Sequence, residues 1–266
     1  MTRAQDDDDA SVELMGMSID RLDDERLLDE IFDAMHDREA TERGGWVVTV
    51  DVGVLRHSAE DPELQALFAA ADRRVAAGLQ LVWASRMQGE PLPGRISGTP
   101  LALRIAARAA DEGRRIFLLG GDPGAAEGAE SMLQLRYPGL DVCGWSSGRV
   151  SLPVTDEELD ELAARIEPAG PDLVLLAYGS PKQEYVARGL RERLPGVWLV
   201  GVGLGLGMLA GQIHDAPPWM HQLGVDWMHR LAKQPRRLAK RYLVDDLPFA
   251  AKMFASAALS RFSRRR

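Results

Sequence analysis

An α/β fold, a parallel sheet covered by helices on both faces, is predicted by three features of this 266-residue sequence. The runs Asp172-Leu-Val-Leu-Leu-Ala-Tyr178 and Gly196-Val-Trp-Leu-Val-Gly-Val202 are apolar nearly throughout, as central strands buried on both faces should be. Strand and helix signals alternate along most of the chain, the pattern of a parallel sheet with crossover helices. Both apolar runs end in glycine-rich loops, Gly179-Ser-Pro-Lys-Gln-Glu184 and Gly203-Leu-Gly-Leu-Gly207, and ligands of open α/β sheets sit outside those carboxyl ends. The reading is a Rossmann-like domain over residues 12–216 with a helical, basic C-terminal appendage, 217–266, and an acidic, disordered N-terminus, 1–11.

Taken in order, Val12–Ile19 alternates like a strand. The next segment, from Asp23, places Leu27, Leu28, Ile31 and Met35 on one helical face, with acids in its first turn. Trp46–Val52 reads as a strand that projects Thr49 and Asp51 from the same face near its end. Pro62–Gly94 reads as a helix, a strand-like Leu79–Trp83 and a second short helix. Leu101–Gly113 is a helix ending at glycine. Arg115–Leu119 is a buried strand running into Gly120-Gly-Asp-Pro-Gly-Ala125, whose backbone N–H groups and following helix N-terminus suit an anion, although tight strand-to-helix packing also explains such glycines. No Gly-Lys-Ser/Thr follows, and neither this loop nor Gly201–Gly207 fits Gly-x-Gly-x-x-Gly, which disfavours a dinucleotide. Leu140–Trp145 reads as an outer strand. In the Gly179–Glu184 loop, Lys182 and Glu184 fit a solvated helix start, whereas Gln183 can point a donor and an acceptor into the cleft.

The appendage begins near Pro217. Trp219–Lys233 can form one helix, and Pro235 and Pro248 suit the first turns of two more. Arg230, Lys233, Arg237 and Lys240 make a basic stripe. The last helix carries Phe249, Met253, Phe254, Leu259 and Phe262 on a broad apolar face; its length, about 22 Å, is too short to span a bilayer. Lying on a membrane, a dimer contact and packing on the body are all compatible with that face.

The single cysteine, Cys143, excludes a disulfide framework and suits a reducing cytoplasm. No apolar stretch is long enough for a transmembrane helix, and Asp6–Asp9 stand where a signal sequence would be basic and apolar. The net charge of −8 hides a division: residues 230–266 hold 11 Lys and Arg against 2 Asp, leaving +9, and the remainder holds 21 against 38, leaving −17. An acidic body argues against a nucleic-acid groove, whereas a basic tail suits lipid head groups or a diphosphate. The five histidines, His36, His57, His214, His221 and His229, lack metal-ligand spacing. Ser180 is not in a Gly-x-Ser-x-Gly elbow.

Gly179-Ser-Pro-Lys-Gln-Glu184, Gly201-Val-Gly203, Leu209-Ala-Gly211, Ala216-Pro217, Trp219-Met220, Arg236-Arg-Leu238 and Arg241-Tyr-Leu243, in this order and spacing, resemble the WecB/TagA/CpsF glycosyltransferases. The resemblance runs from about Val12 to about Leu243 and takes in Thr49, Arg95-Ile-Ser-Gly98 and Leu118-Leu-Gly-Gly121. It implies a metal-independent, cytoplasmic, membrane-peripheral enzyme with no cofactor. The implied donor is a UDP-activated N-acetylhexosamine or related sugar, and the implied acceptor an undecaprenyl-diphosphate-linked sugar in cell-envelope polysaccharide assembly.

Several positions depart from the family pattern. The family's Thr-x-Asn is here Thr49 and Asp51. Its Asp-Gly pair, whose Asp is the presumed general base, is here Ala77-Gly78, and a methyl group cannot take a proton; a positioned base is typically worth about 10² to 10⁴ in rate. Arg149 stands for a tyrosine expected on the nucleobase, and a guanidinium can stack in its place. Gly207 stands for an aspartate. The candidate catalytic residues are therefore Asp51, Thr49 and Arg95, with Asp51 the substitute base or, alternatively, a helix cap. Gln183, Gly120, Gly121, Arg149, Gly179 and Gly203 are candidates for donor or acceptor binding, with Arg230, Arg236 and Arg237 from the appendage set to neutralise a diphosphate. The expected partners are a nucleotide sugar, a lipid-diphosphate-linked sugar and an anionic membrane surface, with no nucleic acid and room for a homo-oligomer. The rival readings are a binding protein of the same fold that has lost turnover, and a soluble transferase with another donor or acceptor.

Overall fold

The computed structural model describes residues 11–36 and 44–263; apart from Ser11, the segment expected to be disordered lies outside them. Where one strand was expected over Val12–Ile19, β1 (Ser11–Leu14) and β2 (Met17–Asp20) form an antiparallel hairpin. Its two-residue turn has Met15 and Gly16 at φ 51° and 84°, the positive values such turns require. Alternation resumes across the turn, so Val12, Leu14, Met17 and Ile19 are all buried on one side. Helix α1 (Asp24–His36) buries the predicted Leu27, Leu28, Ile31 and Met35, together with Phe32.

Six strands make the main sheet: β3 (Trp46–Val50), β4 (Arg73–Ala76), β5 (Arg115–Gly120), β6 (Asp141–Ser146), β7 (Leu173–Ala177) and β8 (Trp198–Gly201). Their order is β4-β3-β8-β7-β5-β6 and every neighbouring pair is parallel. The two apolar runs are thus the central strands β7 and β8, all nine of whose residues are buried, and Leu140–Trp145 is the edge strand β6. The connecting helices are α2 (Val52–Glu60), α3 (Pro62–Ala69), α4 (Leu79–Gln88), α5 (Gly98–Glu112), α6 (Ala125–Arg136), α7 (Asp156–Ile166) and α8 (Lys182–Arg193), with a short α9 (Gly205–Leu209) after β8.

One stretch is reversed relative to the sequence expectation. Leu79–Trp83, read as a strand, opens helix α4, and the strand is instead Arg73–Ala76, which pairs along β3. A short apolar run does not distinguish a strand from a buried helix, and here Leu81, Val82 and Ala84 are buried as helical residues. The true strand begins with two arginines, and tertiary partners satisfy them: Arg73 Nε pairs with Glu30, and Arg74 Nε donates to the Ser18 carbonyl at 2.9 Å. Local composition therefore disguised it.

Two apolar cores lie on opposite faces of the sheet. One joins the hairpin with α2, α3, α4, α7 and α8; the other joins α1, α5, α6 and α9. This double cover explains why the central strands do not alternate.

The appendage contains α10 (Pro218–Gln222), α11 (Asp226–Lys233), α12 (Pro235–Ala239), a π-helical segment Lys240–Asp246 and α13 (Leu247–Ser263). The single helix expected over Trp219–Lys233 is broken at Gly224, whose φ is 58°. Pro235 and Pro248 do fall in first turns. Much of the apolar face of α13 is used within the molecule, since Phe249, Met253 and Ala257 are buried in the core that includes α4, while Leu259 is exposed. Met253 is 1% exposed, so Met253→Ala should lower the unfolding free energy by about 2 to 4 kcal/mol. Urea denaturation of the two proteins measures this, and an unchanged midpoint would show that α13 is not docked on α4.

Candidate active site

On leaving β3 the chain enters α2 on one face of the sheet, and on leaving β8 it enters α9 on the other. Adjacent strands whose connections part in this way open a crevice at their carboxyl ends. Most of the residues singled out in the sequence collect around it.

Thr49, at the end of β3, donates from Oγ1 to the Gly201 carbonyl at 3.0 Å and so ties β3 to β8. Asp51 is the N-cap of α2: its Oδ1 accepts from Val54 N at 2.8 Å. Both readings of Asp51 are therefore in play, because its other oxygen, Oδ2, lies 3.3 Å from Arg241 Nη2 and its side chain is 47% exposed. Ala77 follows β4 directly, its N–H donating to the Val50 carbonyl at 2.8 Å. A Cβ on Gly78 would stand 3.6 Å from Asp51 Cα, so Ala77-Gly78 and Asp51 are neighbours. The chain after β4 thus passes beside the backbone of Asp51 at the end of β3.

Gln183 and Glu184 begin α8 and form the floor. Gly203 N donates to Gln183 Oε1 at 3.1 Å, and Gln183 Nε2 lies 3.4 Å from Glu184 Oε1. A Cβ at Gly201 would come within 2.3 Å of Gln183 Nε2, so only glycine lets this amide enter. Gly179 and Gly203 take φ values of 74° and 55°, the left-handed turns through which β7 and β8 open into their loops. Contrary to a solvated helix start, Glu184 is 1% exposed. Burial first of all, with a smaller contribution from the charge of Asp51, pushes its carboxyl up to about 7. The Ser180 hydroxyl works in the other direction but makes no hydrogen bond of good geometry, and Glu184 Oε2 has no hydrogen-bond partner.

Gly120 and Gly121, at φ 95° and 85°, turn the chain out of β5, and Gly121 N donates to the Ala177 carbonyl at 2.8 Å. This places the loop beside the end of β7. Helix α6 starts at Gly124 with no side-chain cap. Arg149 is exposed, on a strand-to-helix loop whose contacts include Ser147 Oγ accepting from Ala126 N at 3.3 Å and Lys182 Nζ donating to the Val150 carbonyl at 2.6 Å. Gly207 lies in α9, and a Cβ there would meet Ile213 Cδ1 at 2.9 Å.

The appendage closes one side. The Gly224 carbonyl accepts from Gln80 Nε2 at 2.7 Å, which seats the α10–α11 turn on the start of α4. Asp226 then lies beside three side chains: Arg230 Nη2 at 2.7 Å, Arg95 Nη1 at 4.0 Å and His221 Nδ1 at 3.9 Å. Arg95 of the body and Arg230 of the appendage meet across this carboxylate. Arg236 is exposed, and the side chain of Arg237 lies outside the described residues. The appendage arginine that reaches Asp51 is instead Arg241, whose Nη2 would be only 2.6 Å from a Cβ on Gly53. Sequence reasoning passed over Arg241, Asp226 and the burial of Glu184. The first was present in Arg241-Tyr-Leu243, but its role depends on where the π-helical segment turns it. Among the described residues, no three His, Cys, Asp or Glu cluster closely enough to hold a metal ion.

Fold and crevice together define an α/β protein with a candidate ligand site at the carboxyl ends of parallel strands, where Gln183, carboxylates and arginines gather. The profile of the family described as "Glycosyl transferase WecG/TagA/CpsF family" matches residues 12–263. The chain belongs to this family, and its fold is the Rossmann-like α/β arrangement expected. Membership implies a nucleotide-sugar donor and an acceptor.

The raised Glu184 carboxyl has a thermodynamic consequence. Its folded value of about 7 exceeds the ordinary 4.5, so the group favours folding only while neutral, and that contribution fades as pH rises from about 4.5 through 7. Glu184→Gln should match the parent in stability near pH 4.5 and exceed it by up to about 3 kcal/mol at pH 8. Denaturant titrations at both pH values test this; an equal difference at the two would mean that the Glu184 carboxyl titrates in the folded protein as it does in the unfolded chain.

Proposed function

We propose that this protein transfers an N-acetylhexosamine-type sugar from a UDP-sugar to an undecaprenyl-diphosphate-linked acceptor during cell-envelope polysaccharide assembly, at the inner face of the cell membrane. The observation that carries the reading is the convergence of Arg95, Arg230 and Arg241, from body and appendage, on a crevice in an otherwise acidic body. Three guanidinium groups at such a place suit a diphosphate far better than a neutral ligand. In the transfer, an acceptor hydroxyl attacks the anomeric carbon, the bond from that carbon to the UDP oxygen breaks, and UDP leaves with the electron pair. The arginines stabilise that developing charge without a metal ion. The hydroxyl proton goes to a base.

Asp51 is the base we assign, because its Oδ2 is half-exposed to the crevice beside the position that Ala77 leaves without a carboxylate. Asp51→Asn should lower kcat by about 10² or more, and Ala77→Asp should raise it. Turnover of a UDP-sugar panel with a lipid-diphosphate acceptor measures both, and an unchanged kcat in Asp51→Asn would remove Asp51 from the chemistry. The alternative, a binding protein without turnover, is favoured by the engagement of both Asp51 oxygens, with Val54 N and Arg241. Calorimetry against the same panel separates the two, since binding with no product supports the binding protein.

No helix among the described residues is long and apolar enough to cross a membrane. Contact with a bilayer is better supported by the π-helical segment than by the buried face of α13. There and at the first residue of α13, Leu243, Val244 and Leu247 are exposed at 47%, 63% and 51%, close in sequence to Lys240 and Arg236. Apolar anchors beside cations suit anionic lipid, with about 1 kcal/mol from each cation that reaches the surface. The double variant Val244→Asp, Leu247→Asp should lose most co-sedimentation with phosphatidylglycerol vesicles, and high salt should weaken that of the parent. Equal sedimentation of both proteins would sink the membrane reading.

A further inference from the structure

Four charged side chains of alternating sign link body and appendage. Arg56, on α2, donates from Nε to Asp246 Oδ1 at 3.0 Å. Asp246 ends the π-helical segment, and its other oxygen, Oδ2, accepts from Arg241 Nε at 3.3 Å. Arg241 Nη2 then reaches Asp51 Oδ2, also at 3.3 Å. The two ends of this relay differ in burial. The side chains of Arg56 and Asp246 are 12% and 10% exposed, whereas those of Arg241 and Asp51 are 39% and 47% exposed. Arg56 is engaged at all three nitrogens: besides Nε, Nη1 bonds Glu60 Oε2 at 2.9 Å and Nη2 faces His57 Nε2 at 3.1 Å. Arg241 holds only one oxygen of a carboxylate on its crevice side.

We propose that Asp246 is a positioning residue which, held by Arg56 of the body, presents Arg241 to the crevice, so that an incoming diphosphate takes Arg241 over from Asp51 while the appendage stays docked. A buried ion pair adds little net stability, but it fixes geometry, and a long flexible arginine needs such a fixed partner to meet an anion without a large ordering cost. Nε of Arg241 goes to the positioning carboxylate and Nη2 stays with the exposed one, which leaves the guanidinium edge directed at the crevice. Gly53 provides the space, because any Cβ there would clash with Nη2. The exchange also has a chemical outcome, since it frees the Asp51 oxygen that Arg241 now occupies. This role for Asp246 rests on the diphosphate reading above.

The test has two arms on the full chain. In the first, hydrogen exchange followed by mass spectrometry compares peptides from the π-helical segment and from α13. Asp246→Asn should speed exchange in residues 240–246 at least tenfold and leave α13 unchanged, and Arg56→Gln should do the same from the other side of the pair. In the second, calorimetry with inorganic pyrophosphate should show at least fivefold weaker binding for Asp246→Asn. Arg241→Ala should weaken it as much, and the double variant no further. Asp51→Asn should act in the opposite sense and tighten binding, a change of sign that a merely structural contact would not give. Unchanged exchange in both Asp246→Asn and Arg56→Gln, or additive losses in the double variant, would overturn the proposal. If the parent bound no pyrophosphate while the exchange arm came out as expected, the diphosphate reading would fail and Asp246 would remain the residue that orders Arg241.

Discussion

The parallel pairing of β3 with β8 is the constraint on which the rest depends. These strands are far apart in sequence, and their pairing brings Thr49 to the Gly201 carbonyl while sending α2 and α9 to opposite faces of the sheet. The crevice exists because the two helices part there. Thr49, Asp51 and Gln183 are placed relative to that opening, and the appendage is seated beside it on α4 through the Gly224 carbonyl.

Electrostatics then divides the crevice. Its floor is desolvated: Gln183 and Glu184 are buried, and the glutamate is held near neutrality by that burial. Its rim is charged, with Asp51 and Asp226 each shared with arginines that come partly from the appendage. The rim arginines are paired with carboxylates, so an anion binding there would have to exchange with groups already in place. Such a site gains selectivity from the exchange, because only a ligand of higher charge or better geometry displaces an existing partner.

The altered family positions acquire different meanings in three dimensions. Ala77-Gly78 runs beside the backbone of Asp51, so positions 77 and 51 are neighbours at the ends of adjacent strands. Gly207 is inside the short helix α9, against Ile213, where a larger side chain would press on the α9 packing. Arg149 is on an exposed loop between the starts of α6 and α8, free to approach a ligand from outside.

The sequence by itself determined the doubly covered parallel sheet, because strands buried on both faces must be apolar without alternation. It likewise determined β7 and β8 as the centre, the glycine loops after them and the family of the chain, since each of these is written in contiguous residues. It could not separate β4 from α4, where a four-residue strand beginning with two arginines is satisfied only by Glu30 and the Ser18 carbonyl. Nor could it show that Phe249 and Met253 spend the apolar face of α13 on the body, that Glu184 is buried, or that Arg241 rather than Arg236 reaches Asp51. Each of these is a contact between residues distant in the chain, and no local periodicity encodes which partner a side chain meets once the sheet has closed around it.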